Sequence, residues 1–390
     1  MATDSVIVGW AHSKFGKSDA PDIEALIGEV GYAALEHAGV LPEDIDFASI
    51  GVLNNGFSNQ GFEAGLISAA MPELRHTPAI HVENACATGT AALYTAIDYI
   101  ESGRGEIALV FGAEKMTGVS MAQVGDILLC GSYRKQEDQV DNGFAGIFAQ
   151  ITQSYFQKYG DRSAEMAMIA AKNHSNGMNN PFAHLQKDLG FDFCNTVSDK
   201  NPYAAPPLRR TDCSLVSDGA AALVIASRDA AKELSRAIGF RARAHKNDIF
   251  PLSRREMTDF NGAHLAWAQA KEMAGITIDD LSLVETHDCF TTAEMIEYEA
   301  MGLTKRGEGW KAAREGWTAM DGRLPVNPSG GLKSKGHPIG ATGVSQHIMA
   351  AMQLTGDAGD MQIKDANLAG VFNMGGAAVT NYVSILERIK

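Results

Sequence analysis

The chain has 390 residues and a formal net charge of −14, with 33 Lys and Arg against 47 Asp and Glu. No basic segment offsets this charge, so a nucleic-acid partner is excluded. The length predicts two or three folding units. Five cysteines without CxxC spacing predict free thiols in a reducing compartment, not a disulfide framework or a zinc site.

The chain starts without the basic and apolar regions of a signal peptide, and no run of about 18 apolar residues occurs. Its last residues, Arg-Ile-Lys, are not a peroxisomal address. We therefore expect a cytoplasmic protein that does not bind membranes.

A first helix is predicted from apolar residues at helical spacing, namely Ile23, Leu26, Ile27, Val30 and Ala34. The helix ends at an Ala-Gly pair, and an acidic turn then leads into an apolar strand, all within residues 35–46. Residues 271–282 follow the same pattern of helix end, Ala-Gly stop and acidic turn. This recurrence indicates an internal repeat.

Two further pairs of segments repeat in the same order. Cys86 opens a predicted helix that leads to the strand Ile107–Phe111, and His337 opens one that leads to the strand Leu368–Phe372. Each half then continues into one more strand after small residues; these strands are Ala221–Ser227 and Val379–Leu386. Three repeats in one order predict a duplicated α/β chain in which Cys86 and His337 hold equivalent places.

An insertion separates the last two predicted strands of the first half, whereas those of the second half are almost consecutive. It covers residues 118–213, is rich in Met, Asn and Pro, and is interpreted as a loop or lid domain. The first half then comprises residues 1–117 and 214–232, and the second half residues 233–390. Each half is a three-layer α/β unit. Two such halves packed back to back predict a five-layer α-β-α-β-α body.

Cys86 and His337 form the predicted reactive pair. Unpaired backbone N–H groups and the dipole at a helix start favour a thiolate and can stabilise an oxyanion. His337 lies in the glycine-rich segment Asn327–Gly343, and Pro338 after it suits the first helical position. A tight turn close to a substrate is therefore expected to present His337 as a base. The alternative for Cys86 is a buried structural cysteine, but its repeat relation to His337 favours the reactive interpretation.

Two more segments carry polar groups or glycines directly after predicted strands. The segment Glu285–Phe290 contains a His-Asp-Cys sequence and follows the strand Leu281–Glu285, which predicts a position beside His337 at the active-site edge of an α/β sheet. The segment Asn373–Gly376 can offer a backbone N–H to an oxyanion. In isolation, either segment is also compatible with an ordinary turn.

The remaining histidines and cysteines have no predicted chemical role. Three histidines in polar surroundings are expected at the surface or in the lid: His174, His184 and His245. Three cysteines without a convincing neighbouring base are expected to be structural: Cys130, Cys194 and Cys213. The sequence contains no dinucleotide-binding fingerprint and no P-loop.

The chain resembles the thiolase superfamily over nearly its whole length, and its His-Asp-Cys-Phe sequence points to the branch typified by the thiolase domain of the peroxisomal sterol carrier protein. The matching segments are Asn173-His174, Asn179–Pro181, Cys213–Ala222, His287–Phe290 and Asn327–Gly343. The last two are highly specific. The resemblance implies the thiolase fold, with two duplicated α/β halves in a five-layer body and an inserted loop domain.

The resemblance also implies roles for individual residues. Cys86 matches the nucleophile that carries the acyl group, and His337 matches the base that activates it and lines an oxyanion hole. Cys289 matches the acid/base that moves the α-proton, and His287 takes the place of an asparagine in other thiolases. The backbone N–H groups of Cys86 and Gly375 match the second oxyanion hole.

One position departs from the family pattern, because Asn373 stands where most thiolases place the acid/base cysteine. Cys289 is implied to cover that loss. The resemblance implies an acyltransferase that cleaves a 3-ketoacyl-CoA with free CoA, or condenses two acyl-CoA molecules, through S-acyl Cys86. Acyl-CoA and CoA are then substrates, and neither a cofactor nor a metal is implied. Candidates for binding the CoA phosphates lie in the inserted segment: Arg162, Lys172, Arg209 and Arg210.

Two alternatives stay open. A β-ketoacyl-synthase-like or acyl-transfer enzyme uses a cysteine with two histidines, or a cysteine, a histidine and an asparagine. His287 keeps this alternative open, but such enzymes lack the second cysteine that Cys289 supplies. A non-catalytic acyl-CoA-binding or scaffold subunit would work beside a small OB-fold partner, and the intact Cys86, His337 and Cys289 argue against it. The resemblance further implies a homodimer or homotetramer and a role in lipid metabolism.

Overall fold

Strands and helices alternate along the chain. The computed structural model describes residues 4–390; residues 1–3, where the first predicted domain and the region searched for a signal peptide begin, lie outside the described part. The strands are β1 Ser5–His12, β2 Phe47–Gly51, β3 Ala79–Val82, β4 Ile107–Glu114, β5 Tyr203–Ala205, β6 Leu208–Arg209, β7 Gly219–Ser227, β8 Ile238–Asn247, β9 Leu283–Glu285, β10 Leu368–Gly375 and β11 Thr380–Arg388. The α-helices are α1 Ile23–Ala38, α2 Glu63–Ala70, α3 Thr88–Glu101, α4 Met121–Leu128, α5 Arg134–Glu137, α6 Gly143–Tyr159, α7 Ser163–Gly177, α8 Gly190–Asn195, α9 Asn261–Ala274, α10 Thr291–Ala300, α11 Gly309–Arg314, α12 Gly331–Ser334 and α13 Ile339–Thr355.

The predicted elements are present, with small differences at their ends. The first predicted helix is α1, and Gly39 ends it in the left-handed conformation with φ of 71°. The predicted strand Ile107–Phe111 continues to Glu114 in β4, because Gly112 to Glu114 remain paired with β7. β10 continues in the same way to Gly375, paired with β11.

Nine strands form one mixed sheet in the order β3-β2-β4-β7-β1-β8-β11-β10-β9, and β5 pairs with β6 in a separate hairpin. The two halves meet at β1 and β8, which share only the pairs Val6 with Gly239 and Ile7 with Ile238. From this junction outward, β1, β7, β4 and β2 correspond to β8, β11, β10 and β9.

The outermost strand of the first half, β3, has a short counterpart in the second half. Val326 forms an isolated parallel bridge to Val284 of β9, outside the named strands. Both halves therefore follow one strand order, as a duplicated unit does. The bounds of the three domains remain predictions.

The helices cover both faces of each half-sheet. α3 and α13 pack against each other in a central layer, where Leu93 and Val344 belong to the same buried cluster as Leu223 of β7 and Val371 of β10. A second cluster joins α1 to the outer face of the first half, and a third joins α9 and α10 to the outer face of the second. The predicted α-β-α-β-α layering is confirmed.

The glycines of the segment Asn327–Gly343 serve close packing within the protein as well as the turn. A Cβ on Gly343 would lie 2.3 Å from the backbone nitrogen of Thr90, and a Cβ on Gly89 would lie 2.7 Å from the carbonyl oxygen of Gly340. α3 and α13 can cross this closely only because these positions lack side chains. From the sequence, the glycines around His337 were expected to form a tight turn close to a substrate.

The inserted segment contains α4 to α8 and the β5–β6 hairpin. Its aromatic side chains pack on the second half, where Phe148 stacks on Phe290 with ring centroids 4.3 Å apart. Among residues 4–390, the search for a helix both long and apolar enough to cross a membrane finds none.

Candidate active site

Cys86 and His337 stand at equivalent places, two residues before α3 and two residues before α13. A turn with Ala85 at φ of 49° leads into Cys86. Because α3 and α13 lie side by side, the two turns face each other. The Cys86 sulfur and one ring nitrogen each of His287 and His337 all lie within 4.8 Å of one another. The rings of His287 and His337 meet edge to face, with centroids 5.1 Å apart.

The cluster opens into an apolar pocket of about 270 Å³. Cys86, Cys289 and His337 line the pocket, and Met121 at its edge is largely exposed. The remaining wall is built mainly from apolar side chains, including Leu53, Met116, Val124, Leu128, Phe144, Phe290 and Ile339. Such a wall suits an uncharged substrate segment and keeps the local dielectric low.

Cys86 is a thiol at neutral pH in this setting. Burial, followed by the neighbouring Cys130, raises the pKa of Cys86 to about 12. The backbone N–H groups of Gly376 and Cys86 itself oppose this shift and lower the pKa, but they do not outweigh burial. The N–H groups thus favour the thiolate in the expected direction, but burial outweighs them and the resting side chain is a thiol. The amides can stabilise negative charge that forms during a reaction.

The hydrogen bonds of His337 define its neutral tautomer. Its Nδ1 lies 2.6 Å from Thr342 Oγ1, and the Thr342 hydroxyl lies 2.9 Å from the carbonyl oxygen of Pro338. A carbonyl only accepts, so the hydroxyl donates to Pro338 and His337 Nδ1–H donates to Thr342. The lone pair is then on Nε2, which is buried without a partner. Burial and the charge of Lys335 lower the pKa of His337 to about 3. The imidazole is thus a neutral acceptor at the pocket.

His287 has the opposite tautomer. Asn373 Nδ2 lies 2.9 Å from His287 Nδ1 and 3.1 Å from the carbonyl oxygen of Cys86, and Thr90 donates to Asn373 Oδ1 at 2.7 Å. The amide donates to both acceptors, so His287 Nδ1 carries the lone pair and Nε2 carries the proton. Nε2 is buried without a partner. Burial, and then His337, hold the pKa of His287 well below its usual value.

The two polar motifs of the second half are bonded together. The Asp288 carboxylate accepts from the backbone N–H groups of Leu332 and Lys333 at 2.6 and 3.1 Å. The Ser329 hydroxyl donates to Glu285 at 2.6 Å. These bonds hold the turn before His337 against the loop that carries His287 and Cys289. They explain why acidic residues flank the reactive groups in both motifs.

Cys289 is buried and lines the pocket. Burial, followed by the charge that Cys86 would carry, holds the pKa of Cys289 well above its usual value. The backbone N–H of Gly376 lowers the pKa of Cys86, and the assignment of the neighbouring Gly375 N–H to an oxyanion hole stays a prediction. Gly375 permits close approach, because a Cβ there would lie 2.5 Å from the carbonyl oxygen of Asn84.

Several residues that the sequence placed elsewhere lie in or near this core. His174 lies on α7 of the inserted segment, which was one of its two expected places, but it is buried; burial followed by Lys333 lowers its pKa to about 3. Cys130 and Cys213, predicted to be structural, both line the pocket. Cys194 is buried outside the pocket lining.

The two other single histidines lie nearer the surface. His184 is half-buried and bonds to Ser217 at 2.9 Å. His245 is exposed and stacks on Tyr382, with ring centroids 3.9 Å apart.

Two of the four cations proposed for CoA phosphates are engaged inside the protein. Lys172 forms an ion pair with Glu294 at 2.8 Å, and the buried Arg209 forms one with Asp212 at the same distance. Arg162 stacks over Trp310 at 4.2 Å. Arg210 is exposed.

Two threonines were missed from the sequence. Thr342 orients the His337 ring directly, and Thr90 orients the His287 ring through Asn373. A threonine five residues after His337, one turn into the predicted helix, was an available signal for the first. No local signal exists for the second, since Thr90 and Asn373 are 283 residues apart in the chain.

The comparisons with known proteins agree with this geometry. A family model described as "Thiolase, N-terminal domain" matches residues 5–193, and one described as "Thiolase C-terminal domain-like" matches residues 244–388. An acetyl-CoA acetyltransferase of Methanothermobacter thermautotrophicus is 35% identical over 390 residues, covering 99% of this chain and 100% of the relative. Sterol carrier protein 2 of Homo sapiens is 33% identical, covering 96% of this chain and 70% of the relative.

Two solved structures share the fold at low sequence identity. The Ltp2-ChsH2(DUF35) aldolase has a TM-score of 0.84 and 20% identity, covering 98% of this chain and 97% of that chain. A monomeric SCP2-thiolase like protein type 1 from Mycobacterium smegmatis has a TM-score of 0.76 and 17% identity, covering 98% and 77%. By fold and sequence, the chain belongs to the thiolase family of acyltransferase enzymes.

Proposed function

We propose that the protein cleaves 3-ketoacyl-CoA thioesters with free CoA, through an acyl group carried on the Cys86 sulfur. The observation that carries this proposal is the cluster of the Cys86 sulfur with ring nitrogens of His287 and His337, all within 4.8 Å at the apolar pocket. A nucleophile, a neutral base and a second neutral imidazole thus lie close together. The relatives named acetyl-CoA acetyltransferase support the substrate class.

In the first step, the Cys86 sulfur attacks the 3-keto carbon while His337 Nε2 takes the thiol proton. Both groups are neutral at rest, so the ion pair forms only as the sulfur bonds to carbon. The backbone N–H groups of Cys86 and Gly376, which lower the pKa of the sulfur, then stabilise the oxygen that becomes negative. Charge that develops in a dry pocket is stabilised more strongly by fixed amides than it is in water.

In the second step, the carbon–carbon bond breaks and the leaving enolate of acetyl-CoA takes a proton from Cys289. The raised pKa of Cys289 keeps it a thiol at rest, which suits its role as the acid of the cleavage step. The Nε2–H of His287 stabilises the enolate oxygen. Free CoA then gives its thiol proton to Cys289, its sulfur attacks the acyl carbon, and Cys86 leaves with the proton held by His337. The chemistry uses only side chains, amides and CoA thioesters.

The test is mass spectrometry of the protein after incubation with acetyl-CoA. A mass gain of one acetyl group on the Cys86 peptide is expected in the wild type and in Cys289→Ala, and none in Cys86→Ala. Cys289→Ala should acylate but lose carbon–carbon bond cleavage. The absence of acetyl on Cys86 in the wild type would defeat the acyl-enzyme, and normal cleavage by Cys289→Ala would defeat the role of Cys289.

A β-ketoacyl-synthase-like condensation is the second candidate, because Cys86, His287 and His337 form a cysteine with two histidines. That reaction draws its carbanion from decarboxylation of a malonyl thioester and needs no second cysteine. Carbon dioxide release from malonyl-CoA that survives in Cys289→Ala would favour it. Thiolytic loss of a 3-ketoacyl-CoA that disappears in the same variant favours cleavage.

A non-catalytic scaffold needs none of these groups, and their convergence weighs against it. The Ltp2-ChsH2(DUF35) aldolase, at 20% identity, shares only the fold. We keep a small OB-fold acyl-CoA-binding partner as a proposal that copurification would test. The five free thiols support a reducing compartment such as the cytoplasm, and the CoA thioester substrates support a role in lipid metabolism.

We propose that the protein is a homodimer that pairs through β3. This strand is at the edge of the sheet, and its Ile80 is 44% exposed. An edge strand with an exposed apolar residue is a template for pairing with another chain. Light scattering is expected to give twice the 41.6 kDa chain mass for the wild type and the single mass for Ile80→Lys. A wild-type monomer would refute this proposal.

A further inference from the structure

We propose that Asn373 is a positioning residue that keeps the proton of His287 on Nε2, and thereby makes the Cys86–His287–His337 cluster a site for an oxyanion and not for a metal ion. The oxyanion part of this role rests on the proposed function. The tautomer and the exclusion of metal do not depend on it. Asn373 stands at the position where the family usually has a reactive cysteine, so its own chemistry differs from what the family pattern supplies.

The orientation of the Asn373 amide follows from the carbonyl of Cys86. That oxygen can only accept, and the Asn373 nitrogen lies 3.1 Å from it, so the NH₂ end faces Cys86. The other end accepts from the Thr90 hydroxyl at 2.7 Å. Two partners on different atoms thus hold the amide. Rotating it by half a turn would place oxygen against oxygen at Cys86 and lose the donor at Thr90.

The second hydrogen of the Asn373 NH₂ group points to His287. The nitrogen lies 2.9 Å from Nδ1, which must therefore carry a lone pair. His287 is fully buried and its pKa is held well below the usual value by burial, so the ring is neutral and Nε2 carries its one proton. Nε2 has no partner and is buried. A buried donor without a partner is costly unless a ligand completes it.

The same cluster has the composition of a metal site. One cysteine sulfur and two imidazole nitrogens within 4.8 Å suit zinc and similar ions, which bind thiolate and neutral imidazole lone pairs. His337 offers a lone pair on Nε2. Neither nitrogen of His287 offers a free one, because Nδ1 accepts from the Asn373 amide and Nε2 carries the proton. Metal binding would require the His287 proton to move to Nδ1, where the NH₂ group of Asn373 cannot accept it. The metal would therefore have to break the bonds to Cys86 and Thr90.

The decisive variant is Asn373→Asp, which keeps the shape and replaces the NH₂ group by an oxygen that accepts from His287 Nδ1–H. Nε2 then carries a lone pair, and the carboxylate–histidine pair supports a metal ligand. Titration with Co²⁺ is expected to produce the intense absorption of a thiolate-bound tetrahedral ion in Asn373→Asp. The wild type should bind Co²⁺ at least about tenfold more weakly, since outer partners of a ligand histidine typically change affinity by 10–100-fold.

Two further variants control this experiment. Asn373→Asp combined with Cys86→Ser should lose the thiolate absorption, which ties the ion to this cluster. Thr90→Val releases only the Asn373 oxygen, so it should bind Co²⁺ with intermediate affinity, and it tests the role even if Asn373→Asp does not fold. Wild-type protein that binds Co²⁺ through Cys86 as tightly as the folded variants would overturn the proposal.

The tautomer can be read without any reaction. In protein labelled with ¹⁵N at histidine, the His287 signal, identified by its loss in His287→Gln, should report protonation at Nε2 in the wild type and at Nδ1 in Asn373→Asp. A wild-type His287 protonated at Nδ1 would overturn the proposal. If acetyl-CoA fails to label Cys86 while the tautomer and Co²⁺ results hold, the proposed function is wrong and the role of Asn373 stands.

A kinetic readout separates positioning from a merely structural role. Asn373→Asp loses the bond to the Cys86 carbonyl but should still acquire an acetyl group on Cys86, because the base His337 and its partner Thr342 are unchanged. Its turnover with a 3-ketoacyl-CoA should fall by at least about tenfold through kcat, since the donor to the enolate is lost while substrate contacts remain. An equal loss in acylation and turnover would indicate general damage to the site and contradict the assignment.

Discussion

β4 and β10 occupy the same place in the two halves, yet they use one equivalent position in different ways. Both strands have eight residues, and the sixth is Gly112 in β4 and Asn373 in β10. A Cβ on Gly112 would lie 2.4 Å from the carbonyl oxygen of Gly340, so α13 packs directly on β4. Asn373 instead reaches the start of α3 through its amide. In the first half this position allows α13 to pack closely on β4, and in the second half it orients the His287 ring.

The exchange between the halves is reciprocal. Glu114 at the end of β4 accepts from the backbone N–H of Gly340 at 3.0 Å, which places a carboxylate at the start of α13. Asn373 of β10 binds the carbonyl of Cys86 just before α3. Each half therefore holds the helix that carries the reactive residue of the other half. The duplicated chain forms one site because these contacts cross between the halves, while Thr342 of the second half orients the His337 ring itself.

The largest effect is expected from removing the nucleophile of the first half. Cys86→Ala should lower thiolytic turnover by roughly 10⁴–10⁶-fold, as removal of a covalent nucleophile does. The control is Cys194→Ala, a buried cysteine that does not line the pocket. It should keep turnover close to that of the wild type when both are assayed by loss of 3-ketoacyl-CoA. Residual activity of Cys86→Ala within 100-fold of the wild type would mean that another group is acylated.

The next effect concerns the base of the second half. His337→Ala should lower the rate of Cys86 acylation by roughly 10²–10⁴-fold, the usual contribution of general base catalysis. Thr342→Val keeps the ring and removes only the acceptor of Nδ1–H, so about a tenfold loss is expected for one hydrogen bond. Rapid-quench mass spectrometry of the acetylated protein measures both. A Thr342→Val effect as large as that of His337→Ala would show that the threonine does more than orient the ring.

The third prediction concerns the close packing of α13 on Gly112 of β4 and the free energy of unfolding. Gly112→Ala places a Cβ against the Gly340 carbonyl and should lower the free energy of unfolding by about 1–3 kcal/mol, the usual cost of overpacking. Gly118→Ala, where a Cβ meets no atom within 4 Å, is the matched control. Urea unfolding followed by fluorescence compares the two. If Gly112→Ala is as stable as the control, α13 is not seated on β4 as closely as described.

The layered fold and the pairing of Cys86 with His337 could be predicted because they depend on repeats and local punctuation. Helical spacing, an Ala-Gly stop and small residues at a strand start are visible in any window of the chain. A strand order shared by two halves then brings two helix starts together. The motif that contains His287 and Cys289 is also local, and its place after β9 follows from the same reasoning.

The parts that could not be predicted depend on contacts between distant polar residues. His174 was expected at the surface or in the inserted segment; it lies in that segment on α7 but is buried, and its neighbour Asn173 bonds to the buried carboxylates of Asp288 and Glu294. A polar sequence predicts exposed side chains only where the neighbouring core is apolar, whereas the core next to α7 contains hydrogen-bonded polar side chains. The net effect on the pKa of Cys86 could not be predicted either, since the burial that outweighs the helix-start N–H groups is not visible in a local pattern.

The smallest expected effect is that of pH on acylation. Burial lowers the pKa of His337 to about 3 and raises that of Cys86 to about 12, so both remain neutral across the range between these values. A base with a lowered pKa stays unprotonated as the pH falls, which moves the acid limb of the rate below pH 5. Acylation by acetyl-CoA should therefore change less than about twofold between about pH 5.5 and 8.5, whereas an ordinary imidazole would lose about tenfold at the lower limit.

One neighbouring group could imitate a titrating base in this range. Burial raises the pKa of Glu114 to about 7, and Glu114 binds the start of α13. Glu114→Gln removes that titration while His337 remains. An acid limb near pH 6.5 that persists in Glu114→Gln would mean that His337 titrates like an exposed imidazole. The lowered pKa of His337 would then be refuted. A limb that vanishes in Glu114→Gln would instead show that the strand of the first half controls the base of the second.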